Sequence, residues 1–128
     1  MATFVQDEHG NVMAFFMAVP LVPPSANRVV RHTNAGRHYV PKDVQEFDHA
    51  VRLFARGHSI QGKEYKVTAR VILPPGKRGD VDNFQKPLLD SLVKAGVIDS
   101  DAKVRECSIR KERGREPLTE ISVEVWKG

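Results

Sequence analysis

Between Tyr65 and Leu73 the residues Tyr65, Val67, Ala69, Val71 and Leu73 fall at every second position. Successive side chains of a strand point to opposite faces, so this period of two predicts a β-strand with one buried face. Pro74, Pro75 and Gly76 end it. Met13 to Ala18 is a shorter apolar run and reads as a buried strand, closed by Pro20, Pro23 and Pro24, since proline donates nothing to a sheet ladder. Lys42 to Arg56 changes period: Val44, Phe47, Val51 and Phe54 share one helical face, with Pro41 suited to its start and Gly57 to its stop. A second helical stripe runs through Phe84, Leu88, Leu89, Leu92 and Val93, with Gly96 as the residue after its C-cap. In the middle of that helix Pro87 would remove a backbone bond and clash one turn back, so the helix is predicted to begin near Phe84 or Gln85.

Val104 to Lys111 and Leu118 to Trp126 read as strands, the latter with Ile121, Val123 and Val125 alternating, and Arg113 to Pro117 between them suits a hairpin loop. Ser25 to Tyr39 is a polar, basic loop, and Lys77 to Gln85 a short polar connection. Met1 to Val12 is polar and aperiodic and reads as an N-terminal extension (residues 1–12) to a domain at 13–128. The order strand, helix, strand, helix, strand, strand predicts a single small α+β domain, with two helices packed on a mostly antiparallel or mixed sheet.

At 128 residues, 41% of them hydrophobic, the chain suits one domain and is long enough for a core without disulfides. Its one cysteine, Cys107, excludes an intrachain disulfide and a cysteine zinc cage and points to a reducing interior. No apolar run approaches the ~20 residues of a membrane span, and the N-terminus, with Asp7 and Glu8, lacks the basic start of a secretory signal. The expected setting is therefore cytoplasmic. Lysine and arginine number 20 against 16 acids, a net charge of +4 that permits a polyanionic partner without demanding one. The distribution says more. Arg28, Arg31, His32, Arg37 and His38 crowd one stretch, Lys77 and Arg78 a second, and Arg105, Arg110, Lys111, Arg113 and Arg115 a third. Any one of these is an ordinary solvated face. Three of them around one acidic stretch point to nucleic acid.

That stretch is Gly79-Asp80-Val81-Asp82-Asn83-Phe84-Gln85-Lys86. Two carboxylates two residues apart in an extended segment point to one side. Such hard oxygen ligands suit Mg²⁺, which is usually held by one or two carboxylates together with waters and phosphate oxygens. Lys86, about one helical turn past Asp82, is placed to offset charge on a phosphate. Asp82, Lys86, Asp90 and Lys94 also repeat every four residues, and for Asp90 and Lys94 the plainer reading is a salt-bridge ladder on a solvated face. A bare D-x-D is a weak signal. A third acid would strengthen a metal site, and Asp99 and Asp101 follow the helix. A helix of about eleven residues is ~16 Å long, and the extended run from Gly96 to Asp101 reaches at most ~20 Å. The chain returns to the first pair only by doubling straight back.

The run Asp80-Val81-Asp82-Asn83-Phe84-Gln85-Lys86, then Asp90-x-Leu92, Lys94-Ala95-Gly96 and Asp99-Ser100-Asp101-Ala102-Lys103-Val104 resembles the RusA family of Holliday junction resolvases, and Pro23-Pro24-Ser25-Ala26-Asn27-Arg28 resembles that family's N-terminal segment. The resemblance covers roughly Met13 to Trp126. It implies a RusA-like fold and a homodimeric endonuclease, bacterial or phage-encoded in a bacterial host (a prophage, for instance), that nicks four-way junction DNA symmetrically with Mg²⁺, or Mn²⁺ in its place. It also implies Asp80, Asp82 and Asp101 as metal-binding catalytic acids and Lys86 as the catalytic lysine, and it is the reason for choosing Asp101 over Asp99. Asn27, Arg28, Arg31, Arg37, Lys77 and Arg78 are the candidate DNA contacts. Two departures stand out: Gly79 occupies a position where the family often has arginine or lysine, and Ser100 one where it commonly has aspartate. Two rival readings remain open, a metal-dependent nuclease on flaps, forks or RNA, and a DNA-binding module of the same fold without activity.

Overall fold

The computed structural model describes residues 2–25, 31–32 and 38–127. Its strand β5 (Tyr65–Leu73) has the predicted bounds and the predicted burial, with Tyr65, Val67, Ala69, Val71 and Leu73 turned inward. Around it, β1 (Ala2–Gln6), β2 (Val12–Val19), β6 (Val104–Arg113) and β7 (Leu118–Val125) complete a five-stranded sheet in the order β1-β2-β7-β5-β6. All neighbours run antiparallel except β5 and β6. Two parallel strands need a long crossover, and α2 (Val81–Lys94) is that crossover. With α1 (Lys42–Ala55) it covers one face of the sheet, where Phe47, Val51, Leu88 and Leu92 pack against Phe15, Met17, Val67, Ile121 and Val123. The opposite face carries polar side chains, among them Arg70, whose Nε donates to Glu120 (2.5 Å) and Nη1 to Glu112 (2.6 Å). A separate two-stranded ladder joins β3 (Arg31–His32) to β4 (His38–Tyr39).

This is the α+β class the periodicities predict, with three differences. The aperiodic N-terminus contains β1, an edge strand paired with β2. Most of its residues are exposed, so they carry no burial rhythm to read. What forms it is the turn that follows: the Asp7 carboxylate accepts from the backbone N–H groups of His9 (2.8 Å) and Asn11 (2.9 Å). Secondly, β6 and β7 are not a hairpin, because β5 lies between them and the connection crosses its end, with Gly114 N–H donating to the Leu73 carbonyl (3.2 Å). Thirdly, α2 begins at Val81 rather than near Phe84 or Gln85, which leaves Pro87 inside it. Phe84 explains the early start. It is buried with Val71 and Leu73, in helical phase with Leu88 and Leu92, so burial of the stripe overrides the preference of proline for a first turn.

The C-terminus of α2 closes as predicted. Gly96 sits at φ +78°, its N–H donates to Val93 and that of Val97 to Leu92 (both 3.0 Å), the paired bonds of a Schellman cap. A Cβ at Gly96 would meet nothing within 4 Å, so the demand for glycine is purely conformational. Gly96→Ala is expected to cost about 1 kcal/mol of stability in urea unfolding with an unchanged m-value, and a loss within error of zero would show that the cap relaxes.

Candidate active site

The connection from β5 to α2 is built by turns and packing. Lys77 N–H donates to the Pro74 carbonyl (3.1 Å), closing a turn over Pro75 and Gly76. Gly79 then lies against the ring of Phe84, so closely that a Cβ there would sit 2.3 Å from Cζ. Asp80 is the N-cap residue of α2, and its backbone carbonyl accepts from Asn83 N–H (3.0 Å), but its carboxylate makes no capping bond. Asp82 falls in the first helical turn. Both side chains are solvent-facing, and neither has a hydrogen bond or ion pair among the described residues. In a protein where most described acids are engaged, two adjacent free carboxylates are available for a cation. Lys86 is one turn further on, 68% exposed and 3.7 Å from Asp90, a separation at which an exposed pair contributes little. The expected ladder stops there, since Lys94 pairs across to Asp48 on α1 (2.8 Å), which also accepts from Ser91.

Asp99 and Asp101 are in different circumstances. The Asp99 carboxylate is engaged by Lys103 Nζ (2.6 Å) and the Tyr65 hydroxyl (3.1 Å). The Lys103 bond holds it below the usual carboxylate range, while burial, and then the hydrogen bond to Asp99, raises the Tyr65 hydroxyl. Asp101 opens a 3₁₀ turn (Asp101–Lys103), exposed and without a partner among the described residues. Ser100 caps that turn by accepting from Ala102 N–H (3.2 Å), a task an aspartate performs equally. Of the two acids, Asp101 is therefore the one left free.

The chain does not double back to bring Asp101 to Asp80 and Asp82. After Gly96 it enters β6, whose first residue Val104 pairs with Tyr65 at the start of β5, whereas Asp80 lies beyond the end of β5. The 14-residue α2 spans the gap, about 20 Å of helix. The strand gives a similar figure: Gly79 lies beside Lys111, and Val104 to Lys111 is about 23 Å of extended chain. Accordingly, no group of three His, Cys, Asp or Glu side chains fit to hold a metal forms among the described residues of one protomer.

Of the candidate DNA contacts, Lys77 and Arg78 are exposed in the loop before Asp80 and unpaired among the described residues. Arg31 lies in β3, and Asn27, Arg28 and Arg37 fall outside the described residues. Cys107 is half-buried and its thiol is pushed up by burial, which suits packing and not nucleophilic chemistry. Arg105 stacks on Trp126, its guanidinium carbon 5.8 Å from the ring centre. Sequence reasoning missed two roles. Lys111 Nζ donates to the Gly79 carbonyl (3.0 Å), and Arg113 Nη1 donates to the carbonyls of Lys77 (2.6 Å) and Pro74 (3.3 Å). No local pattern marks these residues off from the other cations of β6.

Gly79→Ala forces the added methyl into the Phe84 ring. The expected cost is about 1–3 kcal/mol of stability with a parallel fall in any activity that depends on Asp80. Combining it with Phe84→Leu should cost less than the two single changes summed, as a double-mutant cycle in urea would read; strict additivity would mean that the two residues do not meet.

The family model described as Endodeoxyribonuclease RusA matches residues 20–124. The crossover junction endodeoxyribonuclease RusA of Escherichia coli (strain K12) is 36% identical over 92 residues, which is 70% of this chain and 76% of the relative. The proteins of the same name from Shigella sonnei (strain Ss046) and Enterobacteria phage 82 are 35% and 33% identical over the same length and the same shares of each chain.

Proposed function

The chain belongs to the RusA endodeoxyribonuclease family, and from that membership we propose that it resolves four-way DNA junctions by paired, symmetric nicks that depend on a divalent cation. The observation that carries the reading is the pair of free carboxylates, Asp80 and Asp82, at the start of α2, with the exposed cation of Lys86 one turn away and Lys77 and Arg78 just before them. Two carboxylates with open sides fit Mg²⁺, which completes its shell with waters and phosphate oxygens. Bound there, the cation supplies an activated water and charge neutralisation on the phosphate. The chain's own part is to place these groups. Lys77 and Arg78 hold backbone phosphates, Lys86 offsets the charge that builds as a water oxygen bonds to phosphorus and the bond to the 3′ oxygen breaks, and the products are a 3′-hydroxyl and a 5′-phosphate that a ligase rejoins. The setting is the bacterial cytoplasm, in which both cellular and phage DNA recombine.

Asp101 enters this reading through a second copy of the chain. Because it stands about 20 Å from Asp80 within one protomer, it joins the pair only across a dimer, and a two-fold axis generates two such composite sites, as paired nicking of a symmetric junction requires.

Wild-type protein with Mg²⁺ should cut a labelled synthetic four-way junction at paired, ligatable positions and leave matching linear duplex intact. EDTA should abolish cutting, and Asp82→Asn should lower it at least a hundredfold, the loss of a few kcal/mol of metal-borne stabilisation, while junction binding persists. Binding without cutting under every divalent metal would make the chain a DNA-binding module, and equal cutting of flaps, forks or linear duplex would withdraw the junction specificity.

Subunit mixing tests the composite site. Asp82→Asn and Asp101→Asn proteins should each be inactive, yet together they should regain single-strand nicking, since a mixed dimer pairs an intact Asp80–Asp82 with an intact Asp101 in one of its two sites. Sites made within one protomer would leave every mixed dimer dead.

A further inference from the structure

We propose that Arg113 and Lys111 are positioning residues for the metal-binding acids: they clamp the loop that leads into Asp80 and Asp82 instead of contacting DNA. The proposal rests on the reading of those acids given above. The loop from Pro74 to Gly79 leaves the sheet after Leu73 and must deliver Asp80 at a fixed place, yet it has little packing of its own beyond the contact of Gly79 with Phe84. Three of its carbonyls are held from outside by β6. Arg113 Nη1 donates to Lys77 at 2.6 Å and to Pro74 at 3.3 Å, and Lys111 Nζ donates to Gly79, the residue before Asp80, at 3.0 Å. The register explains the reach, because Lys111 and Arg113 stand opposite Val71 and Leu73 on the parallel strand β5 and share the helix-covered face from which the loop departs. Charge-assisted bonds of this kind are among the stronger ones a side chain makes to backbone.

The arrangement divides the basic residues around the site into two groups. Lys77 and Arg78 are on the loop, their side chains exposed and without a partner among the described residues. They are available to phosphate. Lys111 and Arg113 are equally exposed, but their donors point at backbone carbonyls. A cation spent on a carbonyl is not one that releases a counterion when DNA binds, and that difference is measurable, because each phosphate contact contributes about 0.9 to the slope of log affinity against log salt on duplex DNA.

The test compares Arg113→Ala, Arg113→Lys and Arg113→Gln with wild type in three measurements: amide hydrogen exchange of the protein alone, junction affinity across a salt series in Ca²⁺, and nicking as a function of Mg²⁺. In Arg113→Ala, exchange at 77–83 should quicken at least tenfold while α1, β2 and β7 keep their protection. Junction affinity should stay within about twofold and the salt slope should not move. The Mg²⁺ concentration for half-maximal nicking should rise severalfold with a lower kcat and a nearly unchanged KM. Arg113→Lys, which keeps one donor group, should recover part of the loss, and Arg113→Gln less. A salt slope reduced by about 0.9 with an unchanged Mg²⁺ requirement would make Arg113 a phosphate contact and overturn the proposal. So would faster exchange across the whole domain, which would mean a general loss of stability, or no change in any of the three. Absence of nicking by wild type would count against the proposed activity alone, because the exchange measurement reads the clamp without it.

Discussion

The parallel pairing of β5 with β6 is the constraint on which the site depends. Antiparallel neighbours can be joined by a tight turn, but parallel ones oblige the chain to travel the length of the sheet and begin again. Here α2 makes that journey, so whatever stands at its two ends is separated by its whole length. Asp80 and Asp82 stand at one end and Asp101 follows the other. The helix cannot be shortened to bring them closer, since Phe84 must reach Val71 and Leu73 while Leu92 reaches the core beside Tyr65. Burial of one apolar stripe thus fixes the distance between acids that the family pattern treats as a set. In the dimer proposed above a second protomer would supply the distant acid, so that symmetry would complete each site as well as duplicate it.

The same pairing decides what was legible in the amino-acid sequence. The alternation from Tyr65 to Leu73 and the stripe from Val44 to Val51 were legible because burial is periodic there, and the structure returns both elements at nearly the expected bounds. β1 was not, because an edge strand that exposes most of its residues has no rhythm. The short segment Arg113 to Pro117, with Gly114 and Pro117, suggested a hairpin, but turn residues and length alone do not distinguish a turn between neighbours from a step across the end of one intervening strand. Pro87 misled in the opposite direction: its local preference was real, and the burial of Phe84 outweighed it. In the site, the resemblance supplied the candidates Asp80, Asp82, Asp101 and Lys86, while the separation of the acids was not legible, since it is set by strand order and no motif encodes strand order.

Basic charge shows a similar limit. A run such as Arg110, Lys111, Arg113 and Arg115 carries a sign but no direction. The pleat supplies the direction. Arg110, opposite Arg70, faces the open side of the sheet, where its Nε lies 3.5 Å from Glu112, while Lys111 and Arg113 turn to the side on which α2 starts. One strand therefore contributes to a surface ion network and to the support of the acidic loop from alternate positions.

The departures of this chain from the family pattern follow from the same contacts. Where relatives by resemblance carry arginine or lysine before the first aspartate, this chain has Gly79, and a Cβ there would enter the Phe84 ring. The position is closed to any side chain for as long as Phe84 occupies it. Yet the positive charge is not lost, because the Lys111 ammonium rests on the Gly79 carbonyl. A cation supplied by the neighbouring strand takes the place of one carried on the loop itself. The exchange has a mechanical consequence: a side chain on the loop moves with it, whereas one anchored in β6 restrains it. Ser100 is a parallel case, capping the 3₁₀ turn through its hydroxyl where an aspartate would cap it through a carboxylate. That keeps the turn while removing a negative charge from beside Asp101.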